Sequence, residues 1–270
     1  MRFNDISDWL DYWFVEPRLP EPEQSVLERY YHSFVSHFGS YLRKHYAAQI
    51  SELEKIIIQK PGCRVLEIGC GCGTESIWLG LLGASVTGID LQKDRLKVAN
   101  ARLAHIKEKL NLVPDVKFER VSVFDATRFG KFDVIWMEQA FHHVEPRDEF
   151  IKLLTQLIDL GGVVAISEAN AWNPFLQLQL VLQRGFKTIK EYKDKEGNTH
   201  VYGNERITTA GDLSKQLVQM GFNVKSVRYF RIFPNRAWAD RLEWVESIVP
   251  KWFKPAFTHY NLVAVKKSIE

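Results

Sequence analysis

A chain of 270 residues with 46% hydrophobic and 26% charged residues has the composition of a folded globular protein, and it is long enough to bury a core without cross-links. Its net charge of +3 and pI near 8.6 lack the concentrated basic footprint of a phosphate-backbone binder, so nucleic acid is not an expected partner. Cys63, Cys70 and Cys72 form no even disulfide framework, and the chain shows neither a secretory leader pattern nor the roughly 20 apolar residues that span a bilayer. A reducing, cytoplasmic setting is the expectation.

Aromatic residues at Trp9, Tyr12, Trp13 and Phe14 open the chain, and a turn-prone stretch from Glu16 to Glu23 follows, with Pro17, Pro20 and Pro22 breaking any helix there. Leu27, Tyr30, Tyr31, Phe34, Val35, Phe38, Tyr41 and Leu42 then recur at steps of three and four, which predicts an amphipathic helix over 23–45. A second helix is predicted over 47–58, ending at Lys60-Pro61-Gly62. Residues 1–60 therefore read as a helical extension: either a lid that encloses an organic acceptor and excludes water, or plain core packing of Trp9, Trp13 and Phe34.

From Cys63 onward short apolar strands alternate with helical stretches, the appearance of a doubly wound α/β fold with a mostly parallel sheet. Strands are predicted over 63–68, 85–90, 116–121, 132–137 and 162–168, and helices over 74–83, 93–111 and 147–159. A polar, lysine-rich insertion at about 171–207 interrupts the alternation, with Glu196-Gly197-Asn198 as a turn or hairpin signal. A helix over 209–220, a strand over 222–231, a Trp-containing helix over 236–248 and a strand over 257–265 complete the series.

The chemistry concentrates after the first strand, where Val65 to Thr74 places Gly69, Gly71 and Gly73 between a strand and a helix. Three glycines let the backbone turn tightly and approach a ligand. The third glycine falls one residue early for the dinucleotide pattern GxGxxG, and no Lys follows the loop as a P-loop requires. Glu67 just before the loop repels a pyrophosphate but suits a ligand with an amino group and a positive sulfur.

The ExGxGxG run from Glu67 to Gly73 resembles the first motif of class I S-adenosylmethionine-dependent methyltransferases, and the resemblance continues in chain order. Asp90 closes the second strand where the family places a carboxylate on the ribose hydroxyls. Phe124 and Asp125 follow the third strand where the family packs and hydrogen-bonds adenine. Phe132 to Ala140 matches the fourth-strand motif, FDxI followed by a loop beneath the methionine part of the cofactor, and Ile158 to Ile166 matches the passage into the fifth strand. The resemblance implies a seven-stranded sheet in the order 3-2-1-4-5-7-6 with the last strand antiparallel, and residues 61–270 as the methyltransferase domain. It implies S-adenosyl-L-methionine as cofactor, held by Glu67, Gly69, Cys70, Gly71, Gly73, Asp90, Leu91, Phe124, Asp125, Glu138 and Gln139. No residue is assigned to a metal.

Ligands of open α/β sheets sit outside the carboxyl ends of the strands, which makes His142 and His143, beyond the fourth strand, the leading candidates for a base, with Glu168 beyond the fifth as the next. Asn170 and Asn173, the cluster His200, Tyr202, Asn204, Glu205 and Arg206, and the cluster His259, Tyr260 and Asn261 are further candidates for acceptor contacts. The expected reaction is methyl transfer to a hydroxyl, or as second choice an amine, of a small metabolite or glycan. Two alternatives stand beside it. Trp238, Leu242, Trp244, Val245, Trp252 and Phe253 interleaved with Arg236, Arg241, Lys251 and Lys254 suggest a lipid-linked acceptor and peripheral membrane contact. A cofactor-binding regulatory or interaction protein without turnover is the other. Met137-Glu138-Gln139-Ala140 departs from the (D/N)PP(Y/F) of DNA amino-methyltransferases.

Overall fold

A computed structural model describes residues 3–15, 18–193 and 199–267, with the side chains of 192–200 outside the description. The chain forms two compact units, Met1–Ser122 with Phe233–Ile248, and Val123–Ile232 with Val249–Glu270. The seven longer strands stand in the order β3-β2-β1-β4-β5-β9-β8, with two further strands forming a separate hairpin.

In the first unit, β1 (Arg64–Ile68), β2 (Ser85–Asp90) and β3 (Val116–Arg120) run parallel, with Leu66 beside Thr87 and Gly88 beside Phe118. Four of the five β1 residues are buried, as expected of a strand covered on both faces. The crossover helices are Thr74–Leu81 and Lys93–Leu110. The second stops at left-handed Asn111, whose N–H returns to the Ile106 carbonyl, with Lys107 and Lys109 complementing the dipole of its last turn.

The amino-terminal helices differ from expectation. Instead of helices over 23–45 and 47–58, the chain forms Glu23–Tyr30, His32–Ser36 and one long helix, Ser40–Gln59. Asp240 causes the break: its carboxylate accepts from the Tyr41 N–H at 2.9 Å and meets His37 Nε2 at 2.8 Å, so a new helix starts between them. The apolar spacing runs on through this corner, and Tyr30 and Val35 end up exposed. An unanticipated helix, Ile6–Asp11, forms because Asp5 caps it, accepting from Ser7 N and Asp8 N. The predicted Trp-containing helix is two shorter ones, Ala237–Arg241 and Glu243–Ile248. The second carries Glu246, buried and accepting from Tyr41 OH at 2.8 Å with His45 Nε2 at 3.0 Å.

In the second unit, β4 (Phe132–Glu138) and β5 (Ile158–Ala169) are parallel, β6 (Ile189–Lys193) and β7 (Thr199–Gly203) form the hairpin, and β8 (Phe222–Phe230) and β9 (His259–Lys266) complete the large sheet. β9 is antiparallel to both β5 and β8, as predicted for the last strand. The expected order holds once the hairpin strands, which lie inside the insertion, are counted. β5 begins four residues early because Ile158 already pairs with Phe132, so the preceding helix stops at Leu157. The insertion also holds an unanticipated helix, Pro174–Arg184, capped by Asn173 and started by Pro174. The Glu196-Gly197-Asn198 turn, like Glu16 and Pro17, lies outside the described residues. No helix among the described residues is long and apolar enough to cross a membrane.

Candidate functional site

The glycine loop of the first unit leaves β1 with Gly69, Gly71 and Gly73 at φ of 77°, 52° and 75°, a left-handed run that residues with a Cβ rarely adopt. At Gly73 a Cβ would also lie 2.5 Å from the Phe118 ring. Asp90, buried at the end of β2, holds this loop: one carboxylate oxygen accepts from Gly71 N at 3.0 Å and the other from Gln92 N at 2.7 Å. Glu67 is buried under the loop and accepts from the Ser76 hydroxyl. Leu91 is exposed just past the strand. Burial pushes the Cys72 thiol up to about 12 and, with Glu67 and Asp90 nearby, the Cys70 thiol well above its usual value, so neither offers a thiolate at neutral pH.

Below the loop, Arg102 is fully buried and donates to the Cys72 carbonyl at 2.9 Å and to Thr74 Oγ1 at 2.7 Å. Its guanidinium lies over the rings of Trp13 and Trp9, at 4.6 and 5.3 Å from their centroids. Trp9 Nε1 donates to the Thr74 carbonyl at 3.1 Å, and Tyr31 OH shares a 2.6 Å hydrogen bond with Thr74 Oγ1. Trp9 and Trp13 are thus core residues of the first unit that brace the helix after the loop. Two charge-assisted hydrogen bonds at about 1.5 kcal/mol or more each make Arg102→Met destabilising by at least about 3 kcal/mol. Urea denaturation of the two proteins measures it, and an unchanged midpoint would contradict the brace.

In the second unit, the turn after β4 presents a polar cluster. Glu168 is buried at the end of β5, and its Oε1 accepts from Phe141 N at 2.8 Å while Oε2 meets His142 Nδ1 at 2.7 Å. The carboxylate therefore fixes the proton on Nδ1 and leaves Nε2 as the basic nitrogen. That Nε2 faces Glu205 Oε2 at 3.5 Å. His143 is held by its Nδ1 on the Gly203 carbonyl at 3.0 Å, and its Nε2 lies 3.8 Å from Glu205 Oε1. Gly203 permits this approach, since a Cβ there would sit 2.0 Å from the His142 carbonyl oxygen. Burial works against a charged His142, but the Glu168 carboxylate outweighs it and the imidazole pKa is raised; burial and then the neighbouring His142 lower that of His143. The ligand atoms of His142, His143 and Glu205 lie within 4.8 Å of one another, a convergence that the sequence, read without a metal ligand, does not announce.

The sequence matches the family described as Methyltransferase domain over residues 66–164. Residues 66–164 are a methyltransferase domain. The chain is 30% identical over 168 residues to a ubiquinone biosynthesis O-methyltransferase of Psychrobacter arcticus, covering 62% of this chain and 61% of that one. It is 38% identical over 111 residues to the protein of that name from Nitrosococcus oceani, covering 40% and 44%. The matches thus span less than two thirds of these relatives. Among solved structures, magnesium protoporphyrin IX methyltransferase of Synechocystis with bound SAH has a TM-score of 0.57 at 17% identity, over 90% of this chain and all of that one (100%). A putative sarcosine dimethylglycine methyltransferase of Galdieria sulphuraria has a TM-score of 0.58 at 15% identity, over 89% and 97%. At such identities the likeness concerns the fold.

Within the methyltransferase domain and the strands that follow it, the remaining candidates separate by how their polar atoms are used. Gln139 has a left-handed φ of 48° and, among the described residues, its buried Nε2 has no hydrogen-bond partner. A left-handed backbone and an unpaired buried donor thus coincide at this position. Phe124 is half-buried and Asp125 exposed on the turn Val123–Phe129, and Glu138 is half-buried at the end of β4. Asn170 and Asn173, by contrast, are structural: Asn170 Nδ2 donates to the carbonyls of Lys254 and Phe257, and Asn173 caps the helix at Pro174. Asn204 donates to the Lys187 carbonyl, and the His200 side chain lies outside the description. Arg206 pairs with the buried Glu145 at 2.6 Å, a partner that sequence reasoning misses because it sits beside Pro146 in an ordinary turn. Tyr260 lies opposite Glu168 in the β5–β9 register with a buried hydroxyl that has no hydrogen-bond partner among the described residues, while Asn261 stands beside it on β9 and His259 shares a 2.7 Å bond with Thr258 Oγ1.

Proposed function

We propose that this chain transfers the methyl group of S-adenosylmethionine to a hydroxyl of a small organic acceptor. The observation that carries the reading is the His142–Glu168 pair, a buried imidazole with its Nδ1 on a carboxylate and its basic Nε2 beyond the strand end. The residues present fit the cofactor. In the first unit a carboxylate has about four lone-pair sites. Asp90 uses two on Gly71 and Gln92, which leaves acceptors for ribose hydroxyls beside the left-handed glycine loop. Cys70 lies within that loop, Glu67 in β1 just before it and Leu91 just past the end of β2. In the second unit the Gln139 Nε2, without a partner among the described residues, suits a carboxylate or an acceptor oxygen, and Phe124, Asp125 and Glu138 keep the roles that the family resemblance implies. When bound, the cofactor supplies an electrophilic methyl group on a cationic sulfur.

His142 then holds the acceptor oxygen and takes its proton at Nε2 as the oxygen attacks. Glu168, with both oxygens occupied and almost no exposure, is a positioning residue that stabilises the imidazolium. His143, held neutral by its surroundings, and Glu205 border the same nitrogen. The naming of the relatives as O-methyltransferases supports oxygen over nitrogen.

The test is turnover of labelled cofactor by the purified chain on a panel of phenols, catechols, sugar hydroxyls and amines, with and without a chelator. Methylated oxygen unaffected by the chelator is expected. Cofactor binding by calorimetry with no product from any acceptor favours the regulatory reading, and chelator-sensitive turnover reassigns His142, His143 and Glu205 to a cation.

A further inference from the structure

We infer that the second unit carries a docking surface for an anionic lipid membrane, built from helix Pro174–Arg184 and the segment 251–254. The inference is independent of the methyl-transfer reading. Along the helix Phe175, Leu178 and Leu182 follow one another at steps of three and four on its outer stripe, while Leu180 faces inward and is buried. Phe175 and Leu182 are 81% and 79% exposed, and Phe186 just past the helix is 88% exposed. Trp172, before the helix, is exposed as well. Single exposed apolar residues are ordinary, but five large ones within fifteen positions form a patch that water solvates poorly.

A second piece is fastened beside the helix start. Asn173 accepts from Leu176 N at 2.8 Å to cap the helix, and its Nδ2 donates to the Pro255 carbonyl at 3.0 Å. Asn170, fully buried, donates to the carbonyls of Lys254 at 3.0 Å and Phe257 at 2.8 Å. Two buried amides thus tie the helix to the loop that exposes Trp252 and Phe253. The patch is rigidly built, not a frayed end.

Charge selects the occupant. Residues 171–190 contain Arg184, Lys187 and Lys190 and no acid, and residues 249–258 contain Lys251 and Lys254 and no acid. A second copy docked on the same face would bring these cations against themselves, because a two-fold interface is self-complementary. A bilayer with anionic headgroups offers the matching arrangement: apolar side chains enter the acyl boundary and the cations stay at the phosphates.

The full chain is sedimented with vesicles of phosphatidylcholine alone and of phosphatidylcholine with phosphatidylglycerol. Binding to the anionic vesicles, with a blue shift of tryptophan emission and weakening by salt, is expected. The double variant Phe175→Glu with Leu182→Glu and, as a separate protein, Lys187→Glu with Lys251→Glu should each lose at least about tenfold in vesicle affinity. Circular dichroism checks that both fold, and the charge-reversed variant keeps the test open if the apolar one does not. Absence of binding to either vesicle, equal binding by the variants, or a concentration-dependent dimer that the apolar variant abolishes would each overturn the proposal.

Discussion

His142→Gln is expected to lower kcat by about 10² or more on the true acceptor while cofactor affinity stays nearly intact. Glutamine keeps a donor toward Glu168 and removes the basic nitrogen, so the loss reports proton transfer and not packing. The pH dependence supplies a second readout. Burial opposes a charged His142 but Glu168 overrides it, so the folded-state pKa lies above the ordinary value near 6.5. A base must be unprotonated to act, and kcat/KM should therefore rise with pH through a value above 6.5. Glu168→Gln should move that rise to lower pH. The same shift has a stability consequence of definite sign: a raised histidine pKa contributes stability that is full below the unfolded value and is lost as pH climbs through the folded one. Wild-type kcat and an unmoved profile in His142→Gln would show that the pair is structural.

Asp90→Ala is expected to weaken cofactor binding by about 1.5–3 kcal/mol, roughly 10- to 150-fold in Kd, the worth of hydrogen bonds to a charged group. Two effects combine there. The ribose acceptors disappear, and the Gly71 N–H loses the partner that holds the loop in its left-handed run. Asp90→Asn separates them, since an amide oxygen can still accept from Gly71. Titration calorimetry with the intact cofactor measures both variants, and unchanged affinity in the alanine variant removes the ribose assignment.

The alternation of strands and helices from Cys63 onward was legible because each parallel strand is a short apolar run and each crossover helix shows its own period. The left-handed loop after β1 was legible for a different reason, since glycine spacing encodes backbone conformation directly. What remained hidden depends on partners distant in the chain. The corner at 37–39 is made by Asp240, and nothing in the local apolar spacing announces it. The helix at Pro174 comes just before a polar, lysine-rich run that draws the whole segment into an apparent insertion, although Asn173-Pro174 is itself a start signal. That Glu168 accepts from Phe141 N and pairs with His142, the contacts on which its proposed positioning role rests, is visible only in the folded chain.

The contacts of Asp240 and Glu246 also bear on how the molecule is made. The first unit is discontinuous: the chain leaves it at Ser122 and returns at Phe233. Tyr41, His37 and His45 meet Asp240 and Glu246, both of which lie on the returning stretch. On the ribosome, helix Ser40–Gln59 emerges early yet stays without those partners until most of the polypeptide has been translated. Contacts of such sequence separation slow folding and leave a long interval in which apolar surface is uncovered. Any expression strategy that stops the chain near residue 122 yields this unit without its closing segment.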